Sequence, residues 1–219
     1  MSILRNYTVD MVNNRMTQEE KTQVFESALL ETGKPGIEKV IAFLKQTDFY
    51  QAPATMVISG NYPGGLLDHT LNTAITAMAL YDFVKETSPE TNLNEISVET
   101  VALLHNIALV GCYVPTVKNR KNASGEWESY TGYTIQDSFP AGGAGEKSVI
   151  MLCKIGLANA LTAEELLAIR WQNGQREVGA REDALRGSFE TSIETFPLIS
   201  LLSCAIELSR KTLDKKNKV

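Results

Sequence analysis

The chain is poor in the residues that most often carry chemistry. Its 219 residues include two histidines, three cysteines and two tryptophans. Cys112, Cys153 and Cys204 are odd in number and show no paired spacing, which argues against a disulfide framework or a cysteine-based zinc site. Each stands in an apolar segment, so all three are expected as buried free thiols in a reducing, cytoplasmic setting. Long apolar runs are also missing. The longest, Ile107–Val114, has eight residues, against the roughly 20 that a bilayer requires. The opening MSILRNYTVDMVNN lacks the apolar stretch of a secretory signal, so neither export nor a membrane partner is expected.

Catalytic signatures are scarce as well. There is no nucleophile elbow and no pair of carboxylates at a recognisable spacing. The segment GGAGEK (142–147) lacks the spacing of a phosphate-binding P-loop, because Glu146 separates Gly145 from Lys147. Backbone N–H groups near a helix start, helped by Lys147, could still cradle an anion there; a plain tight loop is the simpler reading. The formal net charge is -5, and the last ten residues (RKTLDKKNKV) contribute +4. The remaining body is therefore acidic, which argues against duplex DNA as a partner except through that tail. The tail itself reads as a solvated end.

What remains is helical patterning, with 43% apolar and 21% charged residues. Thr17 with Glu20, and Thr162 with Glu165, are capping boxes. Ser97 is placed to cap a helix carrying Val98, Val101, Ala102, Leu104 and Ile107. Further helices are expected from near Glu146, up to about Gln172, and from Pro197 to Arg210. The stretch 114–135 alternates as a short hairpin with a turn at 122–125 and a solvated tip over an aromatic mini-core. Lys118, Arg120, Lys121, Trp127 and Tyr130 would lie on it. The fold class is therefore all-α, a helical bundle with a small β-hairpin insertion around residues 114–135. Its divisions are a helical extension at 1–34, a main domain at 35–210 and a basic tail at 211–219.

The two histidines, His69 and His105, each lie inside a strongly apolar helix. Packed together, those helices could set the rings side by side, and as buried groups they need partners. Asn106 follows His105; Asp68 precedes His69, one residue out of phase. Two imidazoles and a carboxamide make a poor metal site, and from composition alone two hydrogen-bonded core histidines are the simpler account.

Five segments together resemble one family in order and spacing. They are GNYPGGLLDHTLNTA (60–74), ALLHNIALVGCYVP (102–115), AGGAGEKSVIML (141–152), LTAEELLAIRWQNG (161–174) and FPLISLLSCAIELS (196–209). The chain resembles the HD-domain phosphohydrolases, especially small phage and Gram-positive bacterial members, over about residues 35 to 210. The resemblance implies an all-α bundle around a metal centre that hydrolyses phosphoesters of nucleotides or related compounds. On this chain His69 and His105 match two family ligands. Asn106 stands where the family has Asp, Ala144 and Gln172 where it has His, and Ile206 where the distal Asp belongs. Loss of both carboxylates removes the charge that holds a metal and orients water.

The resulting expectation is a catalytically inactive descendant with no cofactor and no bound metal. It would bind a nucleotide-like or phosphorylated small molecule, or a protein partner. Its cleft would be lined by His69, His105, Asn106, Lys147 and Arg170. The alternatives are a residual metal-dependent phosphohydrolase acting on nucleotides and a purely structural protein or homo-oligomer whose old site is filled by side chains.

Overall fold

Helices dominate, and one antiparallel hairpin interrupts them. The computed structural model describes residues 2–57, 59–122, 124–177 and 183–215. Its main elements are α1 (Gln18–Glu31), α2 (Ile37–Lys45), α3 (Gly65–Thr87) and α4 (Glu95–Leu104), then strands β1 (Tyr113–Lys121) and β2 (Trp127–Ile135). They continue with α5 (Ala144–Ile155), α6 (Ala163–Arg170), α7 (Asp183–Thr195) and α8 (Pro197–Leu208). Among the described residues, no single helix is long and apolar enough to cross a membrane.

Both expected capping boxes form, with Thr17 and Thr162 each bonded reciprocally to the glutamate three residues on. The expected cap at Ser97 does not. Helix α4 starts earlier, at Glu95, because the Asn94 side chain accepts the Ser97 backbone N–H at 3.0 Å. Asn94 thus satisfies one of the free donors of the first turn, where Glu95 adds a favourable charge. Helix α5 likewise begins two residues before Glu146, at Ala144.

Helix α3 runs through the middle of the molecule and is buried on every side from Gly65 to Ala74. Helices α1, α4 and α8 pack around it. The preceding loop meets it so closely that a Cβ at Gly65 would lie 2.2 Å from the Gly60 carbonyl oxygen. Only glycine permits that approach. A second close approach joins α5 to α6, where a Cβ at Gly145 would lie 2.1 Å from the Arg170 carbonyl oxygen. Residues 1–34 add Leu4, Val12, Phe25 and Leu29 to the same hydrophobic core as Leu71, Leu104 and Leu202.

Two of the three cysteines differ from expectation. Cys112 is buried, but Cys153 and Cys204 are exposed. Each of these two follows the helical phase outward: Leu152 faces the core beside Cys153, and Leu202, Ala205 and Ile206 do so around Cys204. An apolar segment on an amphipathic helix still has an outer side.

The hairpin pairs Tyr113 with Ile135 at its base and Lys121 with Trp127 at its tip. Among the described residues, no aromatic mini-core forms. Trp127 is 71% exposed, while Tyr133 near the base is buried. The outer rings are instead covered by cations: the Arg120 guanidinium lies 4.9 Å from the Tyr130 centroid and Lys121 Nζ 5.6 Å from that of Trp127.

Candidate functional site

Helix α3 carries His69 into the interior, where its Nδ1 lies 2.6 Å from Asp214 Oδ2. Asn72, one turn along, donates to the other Asp214 oxygen at 3.0 Å and to Asn13 Oδ1 at 3.0 Å. Asn13 in turn donates to the Leu213 carbonyl at 2.8 Å. Burial alone would raise the Asp214 carboxyl; the His69 charge and the hydrogen bonds from His69 and Asn72 hold it below the usual carboxylate range. Asp214 is therefore the acceptor and His69 Nδ1 the donor. The expectation of a solvated tail fails at this residue, which is buried. A wide turn at Ser209–Leu213 follows α8, and the Asp214 N–H bonds the Ser209 carbonyl at 2.8 Å, bringing the carboxylate inward. Residues 216–219 of the tail lie outside the described residues.

His105 sits at the end of α4, its ring centroid 5.8 Å from that of His69. Its Nδ1 is 2.8 Å from the Ala102 carbonyl, which can only accept, so Nδ1 carries the proton. Burial, reinforced by the His69 charge, pushes the His105 imidazole down to about 3. The ring is neutral near pH 7, and Nε2 presents a lone pair. That atom is fully buried and has no hydrogen-bond partner among the described residues.

The two rings open on a cavity of about 230 Å³. His69, His105, Asn106, Ala144, Gln172 and Ile206 all line it, so the six positions singled out by the resemblance converge from five separate segments. Thr55, Tyr113 and Arg210 complete much of the wall. Four lining side chains carry buried atoms without a hydrogen-bond partner among the described residues: His105 Nε2, Asn106 Nδ2, Gln172 Oε1 and Arg210 Nε. Buried polar groups are nearly always satisfied in native proteins, so four unpaired atoms in the side chains around one space set this region apart. The cavity has not been filled in by side chains.

Lys147 and Arg170 stand elsewhere. Lys147 lines a neighbouring cavity of about 180 Å³, where it donates to Asp137 at 2.8 Å and lies 3.1 Å from Cys112 Sγ. Burial pushes the Cys112 thiol up, so it remains protonated near pH 7. Arg170 stacks over Trp171 at 4.3 Å and faces Glu146 and Glu177 at 3.9 and 4.0 Å. It does not line the histidine cavity. The proposed anion cradle at GGAGEK is engaged internally, because Gly142 N–H donates to the Glu146 carboxylate at 2.9 Å. Asp68 keeps to its own side, bonded to Lys21 at 2.7 Å and Tyr62 at 2.9 Å.

The donor set does not fit a resident metal. Ala144 and Ile206 offer no ligand atom, and Asp214 is committed to His69 and Asn72. Among the described residues, no group of three His, Cys, Asp or Glu side chains gathers in a way that could hold one. The sequence reading missed Asp214 and Arg210. The only available signal for Asp214 was its being the sole acid in the basic tail. Comparison with family models, curated proteins and solved structures finds no match.

Proposed function

We propose that the chain is a catalytically inactive HD-like protein that binds a nucleotide-like or phosphorylated small molecule in the His69–His105 cavity. The observation that carries this reading is the convergence of six aligned positions on one cavity whose donor set lacks the family's carboxylates. His69 and His105 remain, but Asn106 and Gln172 are neutral amides that can bind and cannot supply anionic charge. Open space with unpaired polar atoms favours a ligand-binding site over a filled, purely structural remnant.

Two measurements test this. Native mass spectra of the purified protein should show no transition-metal excess, and nucleotide monoesters at millimolar concentration should not be hydrolysed with Mn²⁺ or Ni²⁺. Metal-dependent turnover that disappears in His69→Ala would overturn the proposal.

A further inference from the structure

We propose that strand β2 is a pairing edge for a second copy of this chain. Two hairpins would join edge to edge and antiparallel into a four-stranded sheet, with the two-fold axis at Thr131. The phase of the ladder shows which backbone groups are free. Asn122 N–H bonds the Glu126 carbonyl at 2.8 Å and Gln136 N–H bonds the Cys112 carbonyl at 2.9 Å, so the hairpin closes on a bonded pair at each end. Bonded and non-bonded pairs alternate along an antiparallel ladder. The register between those ends is unbroken, so Trp127, Ser129, Thr131, Tyr133 and Ile135 turn their N–H and C=O groups away from β1. Among the described residues, no third strand pairs with β2 and no backbone hydrogen bond reaches that outer edge. A hairpin of two strands is only marginally stable by itself in water, and further strands stabilise it.

The two strands differ as edges. β1 carries Lys118, Arg120 and Lys121, and Pro115 takes one of its outward positions with no N–H to offer. β2 has no proline, and Glu128 is its one charged residue. β2 also fits a copy of itself. When two β2 strands overlap along their full length, Thr131 meets Thr131 of the second copy, Ser129 meets Tyr133 and Trp127 meets Ile135. These are the outward-turned residues, so each free N–H faces a free C=O. The exposed Trp127 and Ile135 side chains then cover one another. Glu128 falls opposite Thr134 and Tyr130 opposite Gly132, so no like charges oppose. Thr134, Ile135, Gln136 and Asp137 are exposed at the base of β2, which leaves room for the second copy's turn. Both β1 strands become the outer edges of the sheet. Their proline and cations keep further strands from adding, so the assembly closes as a dimer. Nine residues at about 3.4 Å each share an edge of about 30 Å, a contact below the roughly 1,200 Å² of standard interfaces. The dimer is therefore weak, with a Kd of about 0.1 mM, and the protein is monomeric when dilute.

Analytical ultracentrifugation of the full chain from about 1 µM to about 1 mM tests the pairing. Monomer is expected at the lower limit and dimer, with nothing larger, at the upper. Thr131→Pro is the decisive variant. The hairpin does not use the Thr131 N–H, just as it uses none at Pro115, so the fold is kept while the bonds at the axis are lost. Its Kd for self-association should rise about tenfold or more. Thr131→Lys and Thr131→Glu should each self-associate about tenfold more weakly, because like charges meet at the axis, and an equimolar mixture of the two should dimerise about as well as wild type. Far-ultraviolet circular dichroism of each variant verifies folding. A chain still monomeric at the upper limit would overturn the proposal, as would a dimer that ignores Thr131→Pro. A Lys–Glu mixture that recovers nothing would overturn the register, and species larger than a dimer would overturn the closure.

Discussion

Two polar cavities meet at Leu109 and Ala144, and they treat their polar groups in opposite ways. In one, Lys147, Asp137 and Cys112 bond one another, and Cys112 also reaches the Ala108 carbonyl at 3.0 Å. In the other, the lining residues His105, Asn106, Gln172 and Arg210 each have a buried polar atom with no hydrogen-bond partner among the described residues. The first arrangement stabilises the empty protein. The second raises its energy. A pocket's polarity is thus a weaker guide to function than whether that polarity is already spoken for.

The comparison has a hinge in Asp214, whose loss should have the largest effect. Removing it strands a buried imidazole and an Asn72 amide, at a cost of about 3 kcal/mol. Asp214→Ala should therefore melt about 6–12 °C lower by calorimetry. The pH dependence has a definite sign. The folded carboxyl lies below its ordinary 3.8, so its contribution is present above that value and fades as pH falls through the lowered one. The gap between wild type and Asp214→Asn should accordingly narrow in acid; a gap that widens would show that Asp214 is not the anionic partner of His69.

A matched pair of substitutions then addresses the contrast itself. Lys147→Met removes the partner of Asp137 and should cost about 1–2 kcal/mol. Gln172→Met deletes an unpaired oxygen and should stabilise the ligand-free protein by about 1 kcal/mol, raising its melting temperature by about 2–4 °C. Equal losses in both variants would erase the distinction between the cavities. The smallest effect belongs far from either. Trp127→Ser at the solvated hairpin tip should change stability by less than about 0.5 kcal/mol in urea denaturation.

Local signals in the chain were readable wherever neighbours along the sequence decide the outcome. Thr17 with Glu20 and Thr162 with Glu165 carry their own hydrogen-bond partners three residues away, and the hairpin alternates around its own turn. Asn94 was passed over for Ser97 because both residue types cap well, and only the chain path into α4 selects between them. The histidines were legible as a packed pair. The cavity's other walls were legible only position by position, through the resemblance. Asp214 was not, because it meets His69 across 145 residues and sits in a run whose charge advertises solvent. Lys147 and Arg170 were misplaced for a similar reason: they flank cavity-lining Ala144 and Gln172 in sequence, but Asp137 and Trp171 hold them on other faces.

The separation between His69 and Asp214 also has a meaning in time. At synthesis rates of about 5–20 residues per second, the 145 residues from Thr70 to Asp214 take on the order of 7–30 s to emerge. Throughout that interval the imidazole lacks the Asp214 carboxylate, and Asn72 and Asn13 have only each other. Helix α3 therefore cannot settle into its final surroundings until Asp214 has been made.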